Sequence, residues 1–276
     1  MAEADSDDVL ATQESPGPPD EAGPGDFWDV LRLTTQARIG LGRAGDALPS
    51  RRVLELRAAH ADARDAVHEP LDVDSFATAV AEVGLGPATV VRSRAGSRSE
   101  YLRRPDLGRL PGAESLATIP GGEHQVGFVL ADGLSPRALT DHGVALLAAL
   151  VAELRPTLSL APPVIAVQAR VALADHLAEA MGVETVLVLI GERPGLSVAD
   201  SLGVYLTYRP GPGRTDADRN CISNIHPPDD LGYAQAARVA AGLVAGARRL
   251  GRSGVALKDT SRAADLTSGD RRVIDA

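Results

Sequence analysis

The chain has 276 residues, 44% of them hydrophobic and 24% charged, enough to bury one large domain or a domain with an extension. Its net charge of −9 is unevenly spread: Glu3, Asp5, Asp7, Asp8, Glu14, Asp20 and Glu21 fall in residues 1–25 with no Lys or Arg, which leaves about −2 for everything else. A near-neutral body argues neither for nucleic acid nor for an acidic substrate, a single cysteine cannot form an internal disulfide, and no apolar run approaches the ~20 residues of a membrane span. The N-terminus has neither a basic nor an apolar signal-peptide region, so the expectation is a cytosolic protein.

Residues 1–25, acidic and rich in Pro and Gly, predict a disordered tail. Phe27-Trp28 supplies the first large apolar area, and LRLTTQARIGLGRAG at 31–45 leads into a helix over 50–67, with Val53, Leu56, Ala63 and Val67 at helical spacing and His60 on the same face. GLGRAG at 40–45 matches G-x-G-x-x-G, but a dinucleotide fingerprint needs a buried strand before it and a helix opening from it, and Asp46-Ala47-Leu48-Pro49 intervenes. A glycine-rich arm fits better. Residues 72–104 read as a short helix over 73–83 and a hairpin-like strand pair around Arg94-Ala95-Gly96-Ser97; YLRRPDLGR at 101–109 then carries three arginines. From Gln125 strands and helices alternate. A strand over 126–130 is followed by a helix that starts with a Ser135 cap and Pro136 and carries Leu139, Leu146, Leu147, Leu150 and Leu154 on one face. A strand over 164–168 precedes a helix over 171–181 that Gly182 ends. Strands at 185–190 and 203–208 and a helix over 231–250, with Val239, Leu243, Val244 and Leu250 facing inward, complete the pattern. This order predicts an α/β fold with a Rossmann-like, mostly parallel sheet joined by right-handed crossovers. The organisation read from it is a disordered acidic tail at 1–25, an N-terminal helical and extended docking region at 26–120, a Rossmann-like domain at 121–251 and a mobile polar tail at 252–276.

The functional stretch runs from Thr185 to His226. The apolar run TVLVLI suits a strand buried on both faces, and Gly191-Glu192-Arg193-Pro194-Gly195 turns the chain where an open α/β sheet holds ligands. Loops at 131–135, 191–196 and 209–226 are therefore the expected ligand edge. Glu192 reads either as a general base or as the charged tip of a turn. Cys221, Asn224 and His226 could form a nucleophile set only by meeting in space, and otherwise Cys221 is a small buried apolar residue. The six histidines (60, 68, 124, 142, 176, 226) have no metal-ligand spacing, so no metal site is expected from the sequence.

Taken together, RIGLGRAG (38–45), YLRRPDLGR (101–109), ADGLS (131–135), GERPGLSVADSL (191–202) and DRNCISNIHPP (218–228) resemble the small subunit of ethanolamine ammonia-lyase, over about residues 38–250. The resemblance implies a carbon–nitrogen lyase, obligately complexed with a large TIM-barrel subunit, that converts ethanolamine to acetaldehyde and ammonia by adenosylcobalamin radical chemistry. The small subunit would close over the cobalamin at the interface, supplying Val171, Glu192 and Cys221 to cofactor binding and no catalytic residue. Ala-rich sequence around Val171 departs from the family's polar pattern there. No histidine has Asp two positions before it, which favours cobalamin keeping dimethylbenzimidazole as its lower ligand. The implied setting is the cytoplasm, with packaging in an ethanolamine-utilisation microcompartment left open.

Overall fold

The computed structural model describes residues 27–228 and 230–260; the acidic tail expected at 1–25 and the last part of the polar tail, 261–276, lie outside them. The chain divides into two compact units at Arg52/Val53. In the described part of the first, helix α1 (Phe27–Arg32) is held to the following segment by Arg32, which donates to the Ile39 carbonyl at 3.2 Å and also to that of Gly40. Gly40 has φ +60°, and a Cβ there would run into the Trp28 ring. Among the described residues, no strand leads into 40–45, and no helix opens directly from it. Helix α2 (Ser50–His68) is confirmed, and the apolar stripe predicted on it is only partly covered: Val53, Ala63 and Val67 are half-buried, Leu56 is 37% exposed and His60 is exposed, while Ala66 alone in the helix is fully buried.

The second unit is built on one six-stranded sheet: β1 (Thr89–Arg92), β2 (His124–Ala131), β3 (Val164–Val167), β4 (Val183–Gly191), β5 (Leu202–Tyr208) and β6 (Arg219–Ile225), in the order β1-β3-β2-β4-β5-β6. The β1–β3, β3–β2 and β2–β4 ladders are parallel, while β4–β5 and β5–β6 are antiparallel. Only β5 therefore runs against the others. Helices α3 (Val73–Ala81), α5 (Pro136–Leu154) and α7 (Tyr233–Leu250) cover one face with Val126, Phe128, Leu130, Leu187 and Leu189. Helix α6 (Leu173–Met181) covers the other with Val129, Ala131, Val186, Val188 and Ile190. Successive side chains of β2 and β4 alternate between two buried layers, which is why these strands read as unbroken apolar runs.

The local signals of α5 and α6 behave as expected: the Ser135 side chain caps Ala138 N–H, all five leucines of the stripe are buried, and Gly182 ends α6 at φ +69°. Four readings are corrected. No hairpin forms around 94–97: β1 pairs with distant β3, and Ser97 caps helix α4 (Arg98–Arg103) by accepting from Glu100 N–H while Glu100 Oε2 accepts from Gly96 N–H. The Ser97 side chain is thus the N-cap, and the Glu100 carboxylate reaches one residue further back to hold the entry to the helix. CISNIH is mostly strand β6, not loop. Leu250, at the end of α7, is 45% exposed. The turn read over 191–195 starts only after Glu192, whose N–H still donates to Ser201 O at 3.0 Å in line with the β4–β5 ladder.

Two polar ties fix the β5–β6 hairpin. Arg219 forms a two-pronged ion pair with Asp175 of α6 at 2.8 and 2.6 Å and donates to Thr207 Oγ1 at 2.9 Å; both charged side chains are at most 2% exposed. Beyond α7, residues 253–257 return to β6: Asn220 donates to the Gly254 and Leu257 carbonyls and accepts from Gly254 N–H, Val255 N–H donates to Ala217 O, and Ser253 Oγ donates to Asp218 O.

Candidate functional site

β3 and β4 lie on opposite sides of β2, and their connecting helices lie on opposite faces. The carboxyl ends of β2 and β4 thus flank the point where the winding reverses, the position at which open α/β sheets leave a crevice for ligands. The two loops meet there backbone to backbone. Leu134 N–H donates to Gly191 O at 3.0 Å. Gly133 has φ +55°, a Cβ on it would strike the Gly191 carbonyl oxygen, and a Cβ on Gly191 would strike the carbonyl oxygens of Ser135 and Asp132. Asp132, 2% exposed, clamps the start of the next crossover: its carboxylate accepts from Gln168 N–H at 2.8 Å and Ala169 N–H at 3.1 Å and faces Arg98 at 3.5 Å. Burial pushes this carboxyl up, opposed by the Arg98 charge and those N–H donors.

The resulting cavity, about 400 Å³, is lined by Tyr101, Gly133, Arg170, Val171, Glu192 and Tyr205, among others. Glu192 is half-buried; its Oε2 accepts from Ser201 Oγ at 2.8 Å and from Asn224 N–H at 3.3 Å. Desolvation raises its carboxyl above the ordinary glutamate value, against the lowering effect of those two donors. Val171 sits in the turn entering α6. Cys221 lies opposite Tyr205 in the β5–β6 ladder, and their side chains interact. The residue is exposed, which corrects the expectation of a buried apolar cysteine. Local crowding nonetheless pushes the thiol up, with the Glu192 charge adding to the effect. Two of the three expected positions therefore share one cavity, and the third adjoins it through Tyr205.

Of the three expected loops, 131–135 and 191–196 are at this edge. Residues 209–218 are not, because β5 runs antiparallel and ends beside Thr185, at the start of β4. β6 then carries the chain back, with Ile225 opposite Leu202. Cys221 and His226 do not meet. Cys221 faces Tyr205, which packs with the α6-side core, whereas the His226 ring lies 5.3 Å from that of His142 on the α5 side.

Sequence reasoning missed Tyr101 and Arg170 as lining residues. Tyr101 is fully buried, donates to Ala169 O at 3.0 Å and has the guanidinium groups of Arg98 and Arg170 at 4.9 and 4.5 Å from its ring centre. The Arg170 Nε is buried without a hydrogen-bond partner. Of the arginines in 101–109, Arg104 is paired with Asp106 at 2.7 Å on the surface. The signals available were the position of Arg170 next to Val171 and the place of Tyr101 at the head of YLRRPDLGR.

The fold and site together define an α/β protein with a crevice at the switch point of a mixed, mostly parallel sheet. Residues 25–258 match the family model described as ethanolamine ammonia-lyase light chain (EutC). The chain is 66% identical over 250 residues to the ethanolamine ammonia-lyase small subunit of Rhodococcus erythropolis, covering 91% of this chain and 96% of that one. It is 45% identical over 255 residues to that of Ralstonia nicotianae (90% and 93% covered) and 47% identical over 240 residues to that of Bradyrhizobium diazoefficiens (84% and 90%). The chain belongs to the ethanolamine ammonia-lyase light-chain family. Among the described residues, no helix is long and apolar enough to cross a membrane.

Proposed function

We propose that this chain is the small subunit of an adenosylcobalamin-dependent ethanolamine ammonia-lyase and that its switch-point crevice holds one edge of the cobalamin against a large catalytic subunit. The observation that carries the reading is the convergence of Val171 and Glu192 on one cavity, with Cys221 beside it. The residues suit an amide-fringed macrocycle. No protein donor reaches Glu192 Oε1 among the described residues, so it can accept from a cofactor amide while Ser201 and Asn224 hold Oε2. Arg170 carries an unpaired, buried donor nitrogen, and the Gly133–Gly191 contact removes side chains where a bulky ring must come close. A cavity of about 400 Å³ takes a cofactor's edge, not the whole of it, as a site shared between subunits requires. The Rossmann-like reading of the sheet rests on the same strand order around β2. When bound, the cofactor supplies the radical chemistry; this chain binds it, orients it and keeps water from one side. Deamination of ethanolamine is carried to this chain from the names of its relatives.

The test is ethanolamine-dependent ammonia release by this chain alone and with a co-expressed large subunit, each with and without adenosylcobalamin. Turnover confined to the complete mixture is the expected result, with Glu192→Ala weakening cobalamin binding. Turnover by this chain without cobalamin would overturn the proposal. A Cys221/His226 nucleophile is disfavoured by their positions on opposite faces of the sheet.

A further inference from the structure

The polar cluster that this function leaves unused lies on the α5 face, away from the crevice. It joins His142 of α5, Asp200 at the end of the 192–201 loop and His226 just past β6. Each offers a ligand atom, and the three atoms lie within 4.8 Å of one another. Asp200 already spans the two imidazoles: its Oδ1 is 3.1 Å from His226 Nε2, and its Oδ2 is 3.7 Å from His142 Nε2. A tetrahedral shell with metal–ligand bonds of about 2.0–2.1 Å has edges of about 3.3 Å, so modest side-chain rotation closes the set. His142 is 9% exposed, and its Nε2 is buried without a hydrogen-bond partner. Its other nitrogen, Nδ1, is 2.7 Å from the Tyr233 hydroxyl. When Nδ1 donates to that hydroxyl, the tautomer leaves the Nε2 lone pair aimed into the cluster, the arrangement that outer partners impose on metal-binding histidines. A buried imidazole nitrogen without a partner is costly and calls for one.

We propose that His142 Nε2, His226 Nε2 and the Asp200 carboxylate form a zinc site. Two imidazoles and one carboxylate suit a borderline transition ion better than magnesium or calcium, which take all-oxygen shells. Asp200 is partly exposed, which provides both an entry path and room for a water as fourth ligand. The site's role is positional. Asp200 precedes Ser201 and His226 follows Asn224 by two residues, and Ser201 and Asn224 are the two donors that hold Glu192. One ion would therefore pin α5, the 192–201 loop and the end of β6 beneath the crevice.

The experiment uses the untagged full-length chain, stripped with a chelator and titrated with zinc by calorimetry and with Co²⁺ by visible absorption, so no readout depends on turnover. The expected result is one ion per chain, intense four-coordinate Co²⁺ bands, and a zinc-dependent rise in melting temperature. Affinity should fall at least about 100-fold in His142→Gln/His226→Gln and in Asp200→Asn, and roughly 10-fold in Tyr233→Phe. Circular dichroism identifies any variant that fails to fold, and the wild-type titration is decisive without variants. Absence of stoichiometric binding to wild type, or binding unchanged in the folded Asp200→Asn chain, would overturn the proposal and leave a hydrogen-bonded His–Asp–His cluster.

Discussion

Gly191 is the most stringent point in the crevice, and Gly191→Ala tests the packing argument directly. The added methyl would overlap the carbonyl oxygens of Ser135 and Asp132, both backbone atoms. Asp132 is tied to the turn entering α6 and Ser135 caps α5, so neither backbone can retreat without loosening a helix start. Overpacking a tight site costs about 1–3 kcal/mol, and with the obstacle held from both sides the upper half, about 2–3 kcal/mol, is expected here. At about 2–4 °C per kcal/mol for a chain of this size, the melting temperature should fall by about 4–12 °C. The control is Gly211→Ala: nothing lies within 4 Å of a Cβ there and φ is not left-handed, so that variant should melt at or slightly above wild type. Thermal unfolding of the full-length chains followed by circular dichroism makes the measurement. A Gly191→Ala chain melting within about 1 °C of wild type would refute the claim that the β2 and β4 loops are locked by backbone contact.

Three further outcomes are expected. Arg219→Met strands the Asp175 carboxylate in the interior and should cost about 3–5 kcal/mol by urea unfolding, much of it recovered in Arg219→Met/Asp175→Leu; a single variant costing under about 1 kcal/mol would contradict the burial of the pair. The Glu192 carboxyl is raised in the folded chain, so its contribution to stability is present below its unfolded pKa and is lost as pH rises through the folded value. Glu192→Gln should therefore melt at or above wild type at neutral pH, with the gap closing as the pH is lowered toward that of an ordinary carboxylic acid, and a lower melting temperature at neutral pH would count against desolvation as the leading cause. Cys221 is exposed with a raised thiol, so a maleimide should modify it stoichiometrically but more slowly at neutral pH than a model thiol, and faster as pH rises; hyper-reactivity would revive the nucleophile reading.

What the sequence made legible follows from where the signal lies. β4 is buried on both faces, so its identity is written in consecutive residues, and α5 announces itself through Ser135-Pro136 and its leucines. β6 buries Arg219, Ile222 and Ile225 and exposes Cys221, Ser223 and Asn224, which breaks any simple alternation; its strand character comes from pairing with β5. β1 owes its place to β3, far along the chain, and α4 is only six residues long, so its start at the Ser97 cap carries the same small and polar residues as a turn. The same division holds at the crevice. Gly191-Glu192 could be proposed as a ligand turn because it ends a recognisable strand, and Val171 and Cys221 rested on segment resemblance. Tyr101, Arg170 and Tyr205 reach the cavity only through tertiary packing. The His142–Asp200–His226 cluster draws on three elements dozens of residues apart, so spacing rules could not reveal it.

The return of residues 253–257 to β6 has a consequence for the firmness of the sheet's border. β6 is the last strand of the sheet, held by a neighbour on one side only, and such strands open most readily. Here the chain after α7 fastens the start of that strand: Asn220 grips Gly254 on both its N–H and its carbonyl, Val255 bonds Ala217 just ahead of the strand, and Ser253 Oγ links Tyr208 N–H at the end of β5 to the Asp218 carbonyl. Peeling β6 from β5 at that end therefore requires the segment after α7 to let go as well, so the border strand opens together with that segment and not by itself.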